Sequence, residues 1–360
     1  METAKPTILV TGVSGNLGRR LLQQLSGYTV VGVDLTPPPE SHAVERFVPL
    51  DLGREESTRQ LSLLIRELQP VSVVHLAFVI DPQRTGVLDV DRMWQINVAG
   101  TARVMEAISE ANRIGAGANP SNVRQLIVPS SVSVYGPDLP QPVSEDAPLL
   151  AHTLPYAVHK RESDLVVQHR APSLRGCGVF ILRPHIFAGA SVENYLMGAF
   201  RGTPNGKGAR AERMRNAGKR LPCMLPFGQK YLDNQLQFVH VDDMARLIVW
   251  ILKREPEAQR LTILNVAGRG DAVSYGQCIQ LAQVKLLRVP GKWTMRQVLK
   301  FLWNRNISAI PPDAVPYMTG QYTMNTDRLK KFLGADYERV IEKTSREAFA
   351  DGVRSVAAGQ

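Results

Sequence analysis

The sequence predicts an α/β protein, a doubly wound parallel sheet with helices on both faces, joined to a smaller, irregular C-terminal part. Three observations carry this expectation. Short apolar runs alternate with helical patterns through the first half of the 360 residues. A glycine-rich turn, Thr11-Gly12-Val13-Ser14-Gly15-Asn16-Leu17-Gly18, leads from the first of those runs into the first helical pattern. Small or polar residues, Gly12, Asp34, Asp51, Ala77 and Ser131, fall where the predicted strands end. Alternation of this kind implies a parallel sheet covered on both faces. Ligands of such sheets sit at the carboxyl ends of the strands.

In chain order, Ile8, Leu9 and Val10 read as a buried strand, and Leu21, Leu22 and Leu25 fit one face of the helix that follows. Residues 29–33 are a second strand ending at Asp34, after which Pro37, Pro38 and Pro39 forbid a helix. Residues 47–50 are a short third strand ending at Asp51, and Leu61, Leu64 and Leu68 mark a helix over 55–69. A fourth strand covers 71–77, a long helical pattern 90–111, a loop by composition 115–120, and a fifth strand 125–128. Beyond it, 155–168 reads as a helix, 179–182 and 238–240 as strands, 241–252 as a helix capped by acids, and 262–266 as a strand. Residues 190–235 show no clear periodicity. Helical patterns return near 295–303, 326–332 and 340–353. The expected division is a dinucleotide-binding part, 1–184 with about 238–267, and a substrate-binding part, 185–237 with 268–360.

The net charge is +10, and much of it is local: Arg201, Lys207, Arg210, Arg213, Arg215, Lys219 and Arg220 stand against the single acid Glu212. Such a segment can attract nucleic acid, an acidic membrane or an anionic substrate. It lacks the interleaved aromatics of a single-strand binder, so a solvated, mobile loop is expected and a nucleic-acid partner is not. Cys177, Cys223 and Cys278 are too few and too widely spaced for a disulfide framework or a zinc site, which suggests a reducing compartment. No apolar run approaches the roughly 20 residues needed to cross a bilayer. A cytoplasmic protein with no membrane partner and no metal is expected.

A glycine turn between strand and helix lets the backbone approach a phosphate and presents helix N–H groups to it. Asp34, at the end of the second strand, can accept hydrogen bonds from a ribose diol and would repel a 2′-phosphate. Turn and acid together predict NAD rather than NADP. Tyr156 and Lys160 lie four residues apart on one helix, hence on one face. An ammonium beside a phenol favours the phenolate, and a phenol so tuned can exchange a proton with a substrate hydroxyl while hydride leaves the same carbon. Ser131 can hold the reacting oxygen.

These residues resemble the motifs of the extended short-chain dehydrogenases/reductases, also called the NAD-dependent epimerase/dehydratase family, over roughly residues 5–270. The resemblance implies a Rossmann-type fold. It assigns Gly12, Ser14, Gly15, Asn16, Leu17 and Gly18 to the pyrophosphate turn, and Asp34 to the acid after the second strand. Asp51-Leu52 matches the pair that contacts adenine. His75-Leu76-Ala77-Phe78 matches His-Leu-Ala-Ala, with Phe78 a departure. Asn97-Val98-Ala99-Gly100-Thr101 matches Asn-Val-x-Gly-Thr. Residues 130–136 match Ser-Ser-x-x-Val-Tyr-Gly, with Ser131 as the catalytic hydroxyl. Tyr156 and Lys160 match Tyr-x-x-x-Lys, residues 182–184 match Leu-Arg-Pro, and 238–243 match Phe-Val-His-Val-Asp-Asp. Leu76, Ala77, Phe78, Asn97, Tyr156, Lys160, Pro184 and His185 are thereby expected near NAD, and Ser131, Tyr156 and Lys160 are expected to be catalytic.

The departures bear on the reaction. Sugar 4,6-dehydratases of this family carry Asp-Glu where this chain has Val132 and Ser133, so dehydration is disfavoured. Ile186 replaces an Asn, and Leu236 an Arg, that touch the nucleotide sugar in many relatives. A less polar substrate follows, unless arginines of 201–220 take over those contacts. Leu221, Met224, Leu225, Pro226 and Phe227 offer either apolar surface near the substrate or plain packing. Ser133, Tyr135, Ile186 and Leu236 are the candidate substrate residues. Tyr135 equally suits packing, and His185 is either an extra acid/base or a structural contact. Two functions stand: an epimerase or dehydrogenase acting at a secondary alcohol, and a non-catalytic NAD-binding sensor or scaffold. The resemblance also suggests a homodimer.

Overall fold

The computed structural model describes residues 5–114, 123–139, 141–255 and 260–354. The loop expected at 115–120 lies outside them. Seven strands form one parallel sheet: β1 (Thr7–Thr11), β2 (Thr29–Asp34), β3 (Arg46–Pro49), β4 (Ser72–His75), β5 (Gln125–Pro129), β6 (Gly178–Pro184) and β7 (Leu261–Val266). Their order is β7-β6-β5-β4-β1-β2-β3. Register is continuous through the centre, where Thr11 of β1 pairs with Val33 of β2 on one side and His75 of β4 on the other. The chain winds away from β1 in both directions, so the β1/β4 boundary is the switch point at which such sheets bind ligands.

Alternation along the strands builds two cores. Ile8, Val10, Val30 and Val74 face one side, where they pack with Leu21 and Leu22 and with Leu247, Ile248 and Ile251 of the Val241–Leu252 helix. Leu9, Val31, Val33 and Val73 face the other, against Leu61, Leu64 and Ile65 of the Ser57–Leu68 helix and Val104, Met105 and Ile108 of the Gly100–Ile114 helix. Successive strand side chains point to opposite faces, so one apolar run serves both layers. The doubly wound α/β expectation is met.

The long helix expected at 90–111 is not regular throughout. Val90–Trp94 runs into a π-helical turn, Gln95–Ala99, before Gly100–Ile114 continues as an α-helix. The turn holds Asn97 inward, where its amide accepts from the Val79 N–H at 2.7 Å and donates to the Val79 carbonyl at 3.1 Å. This pins the loop that follows β4.

The second half is more ordered than its sequence suggests. Ile186–Ala188 pairs in parallel with Phe238–His240, beside the main sheet. Cys223–Pro226 pairs in parallel with Leu286–Val289, and Gln235–Leu236 antiparallel with Val273–Ser274. Helices Tyr195–Arg201, Ala209–Asn216, Tyr275–Ala282 and Gly291–Asn304 surround these pieces. A third core, including Phe200, Phe238, Tyr275 and Phe349, holds them together.

The basic segment is not all loop: it carries the helix Ala209–Asn216, while Lys207, Arg210, Arg213, Arg215, Lys219 and Arg220 are exposed to solvent as expected. Arg201 is buried and donates to the carbonyls of Gly352, Val192 and Gly189 at 2.7, 2.7 and 3.0 Å. Arg220 donates to the carbonyls of Arg201 and Ala282, and Arg215 to those of Pro204 and Gly206. Guanidinium groups here satisfy carbonyls that lie outside regular ladders. Cys177, Cys223 and Cys278 are buried free thiols. Among the described residues no helix is long and apolar enough to cross a membrane, and no His, Cys, Asp and Glu cluster suits a metal ion.

Candidate active site

A cavity of about 510 Å³ opens at the carboxyl ends of the strands. It runs from the glycine turn, past Ser131, Tyr156 and Lys160, to a wall made by residues 314–322. Two glycines make its first end possible. Gly12 has φ +70°, and a Cβ there would run into the backbone of Leu76 and Ala77. A Cβ on Gly18 would meet the carbonyl of Val13 at 2.5 Å. Only glycine lets β1, its helix and the end of β4 come this close. Ser14 binds the next strand: its N–H donates to Asp34 Oδ2 at 3.0 Å and its hydroxyl to the Thr36 carbonyl at 2.5 Å. Asp34 also accepts from the Leu35 N–H at 2.7 Å. Asp51 is held by the Gly53 N–H at 2.9 Å and by Arg92. Asn16 donates to the Ser191 carbonyl at 2.8 Å, which closes the turn against the second half of the chain.

Ser131 caps the short 3-10 turn Val132–Tyr135. Its hydroxyl accepts from Ser133 Oγ at 3.0 Å and is hydrogen-bonded to the phenol of Tyr156. Three hydroxyls therefore form a chain, Ser133–Ser131–Tyr156. Burial raises the phenol's pKa above its ordinary value, and the Ser131 hydrogen bond opposes this rise. The lowering by Lys160 that the sequence suggested is not what sets this group. Lys160 points elsewhere: its ammonium donates to the Pro129 carbonyl at 2.8 Å and lies 3.7 Å from the centre of the Phe78 ring. Phe78 also meets Tyr156 edge to face, at 5.9 Å between ring centres. Burial pulls the Lys160 pKa down to about 7, and Asp164 pulls it partly back.

Beneath these residues lies a polar cluster that the motifs only partly reveal. Asp164, two turns into the Pro155–Arg170 helix, takes a bidentate grip from Arg183 of β6 at 2.9 and 2.9 Å and a hydrogen bond from Ser130 at 2.6 Å. Both partners of that ion pair are fully buried. Arg183 continues to the Tyr135 phenol at 2.8 Å, which donates to Asn265 of β7 at 2.6 Å. Glu145 accepts from the Asn265 N–H at 2.9 Å. The cluster ties β5, β6, β7 and the Tyr156 helix into one block. Asp164 and Asn265 had no motif to mark them; eight residues from Tyr156, Asp164 shares its helix but not its local pattern.

Most expected site residues line the cavity: Gly12, Ser14 through Gly18, Asp34, Asp51, Leu52, Leu76, Ala77, Phe78, Ser131, Ser133, Tyr156, Lys160, Pro184, His185 and Ile186. Asn97, Tyr135 and Leu236 do not. Asn97 is buried on the Val79 backbone, Tyr135 belongs to the polar cluster, and Leu236 is a core residue paired with Val273. Leu221, Met224, Leu225, Pro226 and Phe227 also lie away from the cavity; residues 223–226 are a buried strand. No arginine of 201–220 reaches it. His185 has both ring nitrogens engaged, with the Ile186 N–H at 2.9 Å and the Tyr322 carbonyl at 3.0 Å. Burial holds it neutral, its pKa lowered to about 3, so it is a structural contact. The wall that sequence reasoning missed is Ala314, Tyr317, Met318 and Tyr322, which comes from a segment without a motif.

The profile of the NAD-dependent epimerase/dehydratase family matches residues 8–267. The chain belongs to that family. NAD is the cofactor that goes with this membership, and the glycine cradle fits a dinucleotide. Solved structures agree in fold. MoeE5 in complex with UDP-glucuronic acid and NAD superposes with a TM-score of 0.64 at 20% identity, covering 98% of this chain and 100% of that one. The UDP-glucose 4-epimerase from Thermus thermophilus, in complex with NAD, gives 0.66 at 17% identity, with 98% and 100% covered. The UDP-glucuronic acid 4-epimerase from Bacillus cereus, in complex with UDP-glucuronic acid and NAD, gives 0.63 at 18% identity, with 98% and 100% covered. No curated protein matches the chain. Phe78, a departure from the family's motif, packs on Lys160.

Proposed function

We propose that the protein is an NAD-dependent oxidoreductase or epimerase acting at a secondary alcohol or ketone carbon, with Tyr156 as its acid/base. The observation that carries this reading is the Ser133–Ser131–Tyr156 chain of hydroxyls, which lies in the same cavity as the glycine turn. Bound NAD would accept hydride from the alcohol carbon. Tyr156 takes the hydroxyl proton and returns it on reduction, and Ser131 holds the oxygen where charge develops. Ser133 orients the Ser131 hydroxyl. Lys160 binds the cofactor ribose once cofactor displaces its present contacts. Asp34 selects NAD over NADP by receiving a ribose diol. Val132 and Ser133 supply neither acid nor base, which disfavours 4,6-dehydration.

A sugar-like or less polar substrate suits Ile186 in the cavity wall. An epimerase retains NAD through purification and needs none added; a dehydrogenase forms free NADH in bulk. A homodimer goes with the family and is tested by light scattering. Tyr156→Phe should lower kcat/KM by more than about a hundredfold, the usual scale for acid–base catalysis. Near-normal turnover in that variant, with NAD still bound, would instead favour the second reading, a dinucleotide-binding sensor or scaffold.

A further inference from the structure

The cavity beyond Tyr156 has an unusual charge balance for a family whose solved relatives hold nucleotide sugars. Among the described residues, Lys160 is the only lysine or arginine that lines the whole cavity, and the acids Asp34 and Asp51 belong to its glycine-turn end. The Lys160 ammonium rests on the Pro129 carbonyl and the Phe78 ring, and the proposed function gives it to the cofactor ribose. The glycine turn serves the dinucleotide's own pyrophosphate. A second diphosphate would thus meet no further lysine or arginine among the described residues that line the cavity. Phosphate recognition is ordinarily the work of Arg and Lys side chains, and an unmatched anion against an apolar wall carries a heavy desolvation cost.

The wall itself is apolar and aromatic. Val132, Leu154, Ile186, Leu196, Tyr317 and Met318 line this end. Tyr317 and Tyr322 stand edge to face, 6.0 Å between ring centres. The Tyr322 hydroxyl is buried and has no hydrogen-bond partner. Aromatic surfaces of this kind favour flat or ring-shaped apolar groups, with an occasional single polar contact.

We infer that the substrate is a neutral, phosphate-free secondary alcohol, or its ketone, carrying an apolar ring-sized group that packs on Tyr317, Tyr322 and Met318. This rests on the proposed function above and narrows it. The reaction is balanced by the cofactor: the alcohol carbon gives its hydride to NAD, the hydroxyl gives its proton to the Tyr156 phenolate, and the products are ketone and NADH.

The test uses the full-length protein loaded with NAD. Calorimetric titrations with 2-tetralol, UDP-glucose and glucose read the ligand class, and NADH absorbance on adding 2-tetralol reads the chemistry. The expected result is that 2-tetralol binds at least tenfold more tightly than either sugar. Equal or tighter binding of UDP-glucose, or no binding of 2-tetralol, overturns the inference. Leu196→Arg places a cation in the wall, and it should weaken 2-tetralol at least tenfold while leaving NAD binding and the melting temperature unchanged. Should that variant melt early, Ile186→Asn, at a half-buried position, replaces it with the same expectation. The two ideas fail separately. Binding of 2-tetralol without NADH formation, in wild type and Tyr156→Phe alike, rejects the catalytic reading and leaves the ligand class standing. Turnover of UDP-glucose that Tyr156→Phe abolishes rejects the ligand class and leaves the catalytic reading standing.

Discussion

At the scale of single residues, the site is set by what burial does to two titratable groups. Tyr156 carries a raised pKa, so at neutral pH it is a phenol, the form that the proposed reduction requires. Oxidation needs the phenolate, whose population rises about tenfold per pH unit below the pKa. The kcat/KM for alcohol oxidation should therefore climb steeply from pH 7 upward, while that for ketone reduction should be flat and then fall. A pH profile of both directions checks this, and an oxidation rate flat from pH 7 to 9 would contradict it. Lys160 shows why Tyr-x-x-x-Lys is only half a prediction. The spacing puts both side chains on one face, but the neighbour across the cavity, Phe78, decides where the ammonium rests. That contact links positions far apart in the chain, so no local pattern could announce it.

At the scale of elements, two devices hold the site. The glycine turn was legible because its requirement is local: a strand, a tight turn and a helix in succession, with Gly12 at positive φ. The polar cluster was not, because its members come from the segment after β5, from β6, β7 and the Pro155–Arg170 helix, and become neighbours only once the sheet forms. Asp164→Ala leaves Arg183 charged and buried without its partner. Removing one member of a buried pair costs about 3–5 kcal/mol, whereas replacing both with apolar groups of similar volume is often neutral. Chemical denaturation should show that loss for Asp164→Ala and a much smaller one for the double variant Asp164→Leu, Arg183→Leu. A loss under about 1 kcal/mol in the single variant would show that the pair does not hold the elements together. The short strands Cys223–Pro226 and Leu286–Val289 escaped notice for a related reason: each satisfies its backbone only on the other, across the intervening chain.

At the scale of the whole molecule, the cavity is shared between the doubly wound sheet and the irregular second half. Asn16 reaches Ser191, Tyr317 reaches the Ser133 carbonyl at 3.5 Å, and Tyr322 meets His185. A ligand that spans both parts stabilises the folded state alone. NAD at a hundred times its dissociation constant should add about 2.7 kcal/mol. Differential scanning fluorimetry should show the melting temperature rising with NAD concentration, and with NADP only at much higher concentration if Asp34 rejects a 2′-phosphate. An unchanged melting temperature at saturating NAD would show that the cradle does not hold the cofactor.

The sequence by itself determined the α/β class, the succession of strands and helices through the sheet and the glycine turn, and it pointed to Asp34, Ser131, Tyr156 and Lys160, which line the cavity, since each follows from local periodicity or from a motif tied to one turn or one helix. Only the tertiary structure decided that Asn97, Tyr135 and Leu236 are framework, that Arg201, Arg215 and Arg220 clamp backbone carbonyls, and that Phe78 covers Lys160. It alone brought Tyr317, Met318 and Tyr322 into the lining of the cavity. Those outcomes depend on side chains that meet across long loops, and their partners are chosen by packing and by the need to satisfy buried polar groups, which short stretches of sequence do not encode.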